Sequence, residues 1–339
     1  MLEIDGRAGG GQLLRTALSL SAITGTPFRV EDVRGERPNP GLRPQHSAAV
    51  DLVAACCDGE TEGAEPESDT LVFRPGEARE PRLSADIGTA GSVTLLFDTV
   101  LPIAAVEGPL TLTATGGTDV KWSPPIASHR QVKLPLLARS GLDAAIDLAR
   151  TGFYPAGGGE ATLRVRPSTL APLDLRDRGE LQRVEVYSKA AESLESQSVA
   201  DRQATHARET LAEAGFPVEI RQREHVPTRS PGSSILLRAV YEGTLAGFDA
   251  LGERGVPSEE IAARAIAAFE TFHEGAGAVD RHMADQLLVF LALAGGRIEL
   301  PAVTDHVETN AALLGRFESD IDLAERPDGT ATVTASGLL

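Results

Sequence analysis

A chain of 339 residues can bury a large core and suggests about two domains. Aspartate and glutamate total 49 against 32 basic residues, of which only Lys121, Lys133 and Lys189 are lysines, giving a formal charge of −17 that disfavours long-range attraction to nucleic acid. No apolar run reaches the roughly eighteen residues of a transmembrane helix, and the opening Leu2-Glu3-Ile4-Asp5-Gly6 carries no basic lead or cleavage site, so a soluble, cytoplasmic protein without a membrane partner is expected.

From the amino end, Gly9-Gly10-Gly11-Gln12 opens an apolar helical stretch running to Ser21, followed by the strand Phe28-Arg29-Val30. Glycines before a helix let an anion approach unpaired amides, with Arg15 one turn in; a tight strand-to-helix turn is the plainer reading of the same residues. Arg34 to His46 then sets Arg34, Arg37 and Arg43 in a loop stiffened by Pro38, Pro40 and Pro44. Held guanidinium forks suit phosphate, and a solvated loop suits the same composition. A helix through Ser47 to Val53 follows, carrying towards the adjacent Cys56 and Cys57, which fit neither a disulfide framework nor spaced zinc thiolates and read as buried small hydrophobes. The acidic stretch Asp58 to Asp69 reads as a solvated loop.

The order of glycine or polar lead-in, apolar helix, strand, polar turn and second helix recurs twice more. The second copy has the helix Gly91 to Leu101, the alternating strand Leu110 to Ala114, the turn Gly116-Gly117-Thr118-Asp119 and Pro124-Pro125 ahead of another helix. The third has the helix Ala284 to Leu293, the strand Arg297 to Leu300 and a final turn, Thr304 to Asn310. Between them, a different series of strands (Val184 to Tyr187, Val218 to Ile220, Ser234 to Val240) and two helices (about Ser198 to Ala214 and Pro257 to Phe272) breaks the pattern. The expected fold is α/β (α+β): three repeated α/β units form a large domain, residues 1–180 and 275–339. A small α/β domain, residues 181–274, is inserted in it.

In the final turn Asp305 is positioned to cap a helix, with Glu308 returning the bond. That puts His306 in the first turn, where the positive end of the helix dipole opposes protonation and leaves a neutral ring able to attack phosphorus. Read alone, an ordinary polar residue at a helix start is the plainer account of it.

Together, Gly9 to Arg15, Pro40-Gly41-Leu42 with Gln45-His46, Ile87 to Ser92, Gly116 to Asp119, Gly152 to Gly159, Ala284 to Leu287 and His306 to Asn310 resemble the RNA 3'-terminal phosphate cyclase family, in the family's order. The resemblance implies an ATP-dependent conversion of an RNA 3'-phosphate to a 2',3'-cyclic phosphate through a covalent histidyl-AMP and an RNA-adenylate, with a divalent ion, Mg or Mn, assisting. It implies a fold of three βαβαββ-type units plus the inserted small domain, with His306 as nucleophile, Gln12, Pro125, His282, Asp285 and Gln286 at the nucleotide, and Arg15, Arg37, Arg43 and Gln45 at the RNA phosphate. The sequence departs from the pattern in places. Ala8 stands where most members carry a metal-holding glutamate, so the metal ligands are not identified. His282 stands where a tyrosine stacks on adenine, Ser128 replaces a frequent aromatic, and Pro44 separates Arg43 from Gln45. A cyclase-like protein that binds RNA or serves ribosome assembly without chemistry is the alternative. His306 favours the enzyme and Ala8 the binder.

Overall fold

Strand β1 (Leu2–Asp5) and helix α1 (Gly11–Thr24) lead to β2 (Phe28–Glu31), parallel to β1. The computed structural model describes every residue except 8, 78 and 79. Helix α2 (Pro44–Cys57), β3 (Glu60–Glu62) and β4 (Leu71–Arg74) complete a sheet of order β1-β2-β4-β3. Leu18 and Leu20 of α1 are wholly buried because other helices pack around it, each such side chain contributing about 1.5–3 kcal/mol.

A second sheet, β5-β6-β8-β7, is built from β5 (Arg82–Asp86), β6 (Leu110–Gly116), β7 (Ala144–Arg150) and β8 (Gly159–Val165). Helix α3 (Val93–Glu107) joins β5 to β6. Between β6 and β7 come α4 (Ile126–Ser128), a π-helical turn (His129–Lys133) and α5 (Leu134–Ala138). The chain then enters β9 (Leu173–Leu175) and leaves for a separate sheet, β11-β10-β12-β13. Its strands are β10 (Leu181–Ala191), β11 (Val218–Val226), β12 (Ser233–Tyr241) and β13 (Leu245–Leu251), with α6 (Val199–Glu213) and α7 (Ser258–Glu274) packed on it. After α8 (Arg281–Gln286) and α9 (Leu288–Ala294), β14 (Gly296–Leu300) pairs in parallel with β9. Helix α10 (Asp305–Arg316), β15 (Ile321–Glu325) and β16 (Ala331–Ala335) finish that last sheet.

The fold is mixed α/β, as expected from the sequence. Its apolar residues form two clusters. One gathers Val184, Val186, Ile235, Leu237, Phe269 and their neighbours beneath α6 and α7. The larger spans the other three sheets and their helices and includes Leu236 and Leu245 from the other face of the same sheet. Among the described residues, no helix is long and apolar enough to cross a membrane.

Several local expectations change. The acidic stretch is not all loop: β3 lies within it, because pairing with β4 sets Glu60 opposite Arg74 and brings Glu62 to Arg74 diagonally at 2.6 Å, which offsets the charge. Strands β9 and β13 carry no clear alternation in sequence and appear only through their partners. The helix expected over Ala284 to Leu293 is two helices meeting at Leu287. Thr304, not Asp305, caps α10: its hydroxyl accepts the Val307 N–H at 3.3 Å, and Asp305 and Glu308 occupy the first turn. His306 keeps its first-turn place.

Candidate active site

The start of α1 is capped by no side chain, and Gly10 has extended backbone there. Gly11 is required by space: a Cβ on it would collide with His46 Nε2 and lie 3.0 Å from Arg15 Nη1. A Cβ on Gly10 would stand 3.5 Å from Arg37 Nη2, so a second guanidinium overlooks the same turn. His46 is buried, and its Nδ1 accepts the Arg43 N–H at 3.0 Å, which makes Nε2 the N–H donor of a neutral ring. Burial, and then the charges of Arg15, Arg34 and Arg43, pull its pKa down to about 3. Arg34 Nη1 is held by the carbonyls of Asn39 and Gly41 at 2.9 and 3.1 Å, fixing the loop that carries Arg37 and Arg43. Four arginines and an imidazole donor therefore surround open helix amides, an arrangement suited to a phosphate.

The second half of the site comes from α8 and α10. Asp280 caps α8 by accepting the N–H groups of His282 and Met283, both at 2.9 Å. Burial raises the pKa of Asp285, while His306, His282 and Lys133 act against that rise, which places these three side chains near one carboxylate. His306 and His282 are exposed. Asn310 Nδ2 donates to the Asp285 carbonyl at 3.1 Å, tying α10 to α8. Gln286 Oε1 and Asn310 Oδ1 are buried without a hydrogen-bond partner among the described residues.

Arg15 joins the halves. Burial lowers its pKa, and the nearby Asp98 and Asp285 act in the opposite direction. Asp98 is set by His129 Nε2 and Lys133 Nζ, each at 2.6 Å; burial works against its charge, yet these two partners hold its pKa well below the usual carboxylate range. Pro125 is linked more remotely. Gln45 Oε1 accepts the Ser92 N–H at 2.9 Å, the Ser92 and Thr94 hydroxyls share a hydrogen bond of 2.7 Å, and Thr94 donates to the Pro124 carbonyl at 2.8 Å. With Oε1 so used, only the Gln45 amide nitrogen remains to meet an anion.

A profile of the RNA 3'-terminal phosphate cyclase family matches residues 7–319. The chain belongs to that family. A Halobacterium salinarum protein named RNA 3'-terminal phosphate cyclase is 45% identical over 99% of this chain and 100% of its own length. Proteins of the same name from Caldivirga maquilingensis and Methylococcus capsulatus are 42% and 40% identical; they match 94% and 98% of this chain and 92% and 96% of their own lengths.

Of the residues expected at a cyclase-family site, the structure gathers Arg15, Arg37 and Arg43 at the glycine turn and His306, His282 and Asp285 beside α8. Gln286 follows Asp285 on α8, and Gln12 lies in the first turn of α1. Pro125 also borders a small cleft open to solvent, with Arg130, Gln131, Tyr187, Lys189 and Gln222, which none of the other expected residues line. Sequence reading passed over His129, Lys133 and Asp280. Only Asp280 had a local signal, as an aspartate just ahead of a helix. Ala8, where the family's metal-holding glutamate would stand, lies outside the described residues. Among the described residues no three His, Cys, Asp or Glu side chains converge to hold a metal ion, so the donors present do not fit a protein-held metal centre.

Proposed function

We infer that this protein is an ATP-dependent RNA 3'-terminal phosphate cyclase with His306 as its nucleophile. One juxtaposition carries the reading: an exposed imidazole in the first turn of α10 lies within electrostatic range of Asp285, and so does the guanidinium of Arg15, at the phosphate-suited glycine turn. A nitrogen of His306 attacks the α-phosphorus of ATP, an N–P bond forms, and the α–β phosphoanhydride breaks to release pyrophosphate. An oxygen of the RNA 3'-phosphate then displaces His306, giving an RNA-adenylate. The ribose 2'-hydroxyl next attacks the 3'-phosphorus, loses its proton to solvent, and expels AMP as the 2',3'-cyclic phosphate closes. Arg15, Arg37 and Arg43, with the amide of Gln45, hold the RNA phosphate, and their fixed charges favour the more anionic transition states. Gln12, Pro125, His282, Asp285 and Gln286 position the nucleotide.

In the same reading, residues 1–180 and 275–339 form the catalytic domain and 181–274 an inserted one. The protein works in the cytoplasm, its acidic, lysine-poor surface suited to concentrated salt.

Incubation with α-labelled ATP and a divalent salt should label the protein through an acid-labile, base-stable bond, and His306→Ala should abolish both the label and cyclisation of RNA 3'-phosphate ends. A label that survives in the variant removes His306 from its role. RNA binding without conversion by the wild-type protein returns the choice to a non-catalytic binder.

A further inference from the structure

Strand β13 brings to this site a carboxylate for which the reaction above has no task. Asp249 Oδ1 accepts the Ser128 hydroxyl at 3.3 Å, long for such a bond, and Asp249 is in no ion pair among the described residues. Ser128 is held in turn by its own N–H, which donates to the Pro125 carbonyl at 2.9 Å. Burial pushes the Asp249 carboxyl up to about 6; the His282 imidazole and the Ser128 bond act against this, and the carboxylates of Asp280 and Asp119 add to it. Those two neighbours are occupied. Asp280 accepts three backbone N–H groups, and Asp119 is bonded to Lys189, Ser234 and Thr118. Asp249, with room for about four acceptor contacts, makes one weak one among the described residues.

Its place relative to the reacting groups is defined by α8. Asp285, beside His306, and His282, beside Asp249, are three residues apart on that helix, about 4.5 Å along its axis. That is close to the separation of ribose and base in a nucleotide. A nucleotide whose α-phosphorus meets His306 and whose ribose passes Asp285 would deliver its base to the space between His282, Pro125 and Asp249.

We propose that Asp249 selects the nucleobase, its carboxylate accepting a hydrogen bond from the 6-amino group of adenine between Ser128 and His282. This depends on the reading of the site as nucleotide-binding. An ionised carboxylate has no donor, so it favours a base edge bearing an amino group and repels a 6-oxo group at the same position. A charge-assisted hydrogen bond of this kind discriminates by about ten- to a hundredfold.

The test uses the full-length protein and His306-dependent self-labelling with three α-labelled triphosphates: ATP, purine riboside triphosphate, which lacks the 6-amino group, and inosine triphosphate, which carries a 6-oxo group. Wild-type protein should reach half-maximal labelling at an ATP concentration about ten- to a hundredfold below that for purine riboside triphosphate. Asp249→Ala should bring the two within about threefold while still labelling at saturation, and Asp249→Asn, nearly the same size, should move the preference from ATP towards inosine triphosphate because its amide can donate to the 6-oxo group. Equal use of ATP and the riboside by the wild type, or undiminished discrimination in a folded Asp249→Ala protein, overturns the proposal. Absence of labelling with every nucleotide, or labelling that persists in His306→Ala, overturns the underlying nucleotide-site reading and this proposal with it.

Discussion

Asp280 Oδ2 accepts the Gly247 N–H at 3.0 Å, so the side chain that caps α8 through Oδ1 also fastens that helix to strand β13. His282, Asp285 and Gln286 all ride on α8, and their positions against Asp249 and His306 depend on this one carboxylate. Burial raises its pKa, opposed by the amides it accepts from.

Asp280→Ala should therefore destabilise the protein by about 2–3 kcal/mol, combining a lost cap with an unpaired Gly247 amide, and should raise the ATP concentration needed for self-labelling. Asp280→Asn can retain both cap bonds but sets an NH2 group against the Gly247 N–H, so a smaller loss of about 1 kcal/mol is expected. Urea unfolding of both variants checks the order, and equal losses would show that the cap bonds carry no weight.

At the glycine turn, Gly11→Ala should cost about 1–3 kcal/mol and weaken use of RNA 3'-phosphate ends. The added methyl meets His46 Nε2, and the buried ring, held from its other nitrogen by the Arg43 N–H, has nowhere to retreat. Gly10→Ala meets only the end of Arg37 at 3.5 Å and should leave stability within about 0.5 kcal/mol of wild type. Thermal melts and KM for a 3'-phosphorylated oligonucleotide separate the two; a Gly11→Ala protein as stable and active as Gly10→Ala would contradict the close packing of His46.

His46 makes stability fall in acid. Its pKa in the fold, about 3, is below the unfolded value near 6.5, so the unfolded chain takes up the proton first and stability drops as pH falls from about 6.5 towards 3. Between pH 7 and 4.5 the wild type should lose about 2–3 kcal/mol more than His46→Gln, measured by urea unfolding at the two pH values. Parallel losses in the two proteins would mean that the folded ring gains its proton as readily as the unfolded one.

The Asp119–Lys189 contact at 2.9 Å is almost fully buried and joins the turn after β6 to strand β10. Lys189→Met should cost about 3–5 kcal/mol by leaving the carboxylate without its cation, and adding Asp119→Asn should recover a substantial part of it. A double-mutant cycle by calorimetry measures the coupling. Simple additivity would show that the pair contributes nothing as a pair.

Much of this molecule was legible in its residues because the responsible forces are local. The glycine run before an apolar stretch marks the start of α1, Ser258-Glu259-Glu260 mark the start of α7, and the polar turn before Val307 marks α10 to within one residue of its cap. Strand β9 was not legible: its three residues become a strand only because β14, far along the chain, lies beside them. Strand β13 was hidden in the same way, since its residues acquire meaning only against β12 and Asp280.

The residues alone determined the mixed α/β class, the family resemblance, and the types of group available: an imidazole at a helix start, arginines in a stiff loop, carboxylates on an amphipathic turn. Tertiary packing decided that Arg15 and His306 both lie within electrostatic range of Asp285, that His46 is sealed against Gly11, and that His282 is near enough to act on Asp249. Periodicity and capping act over a few residues. Electrostatic and steric neighbourhoods join residues hundreds of positions apart, and only a folded chain brings them within reach of one another.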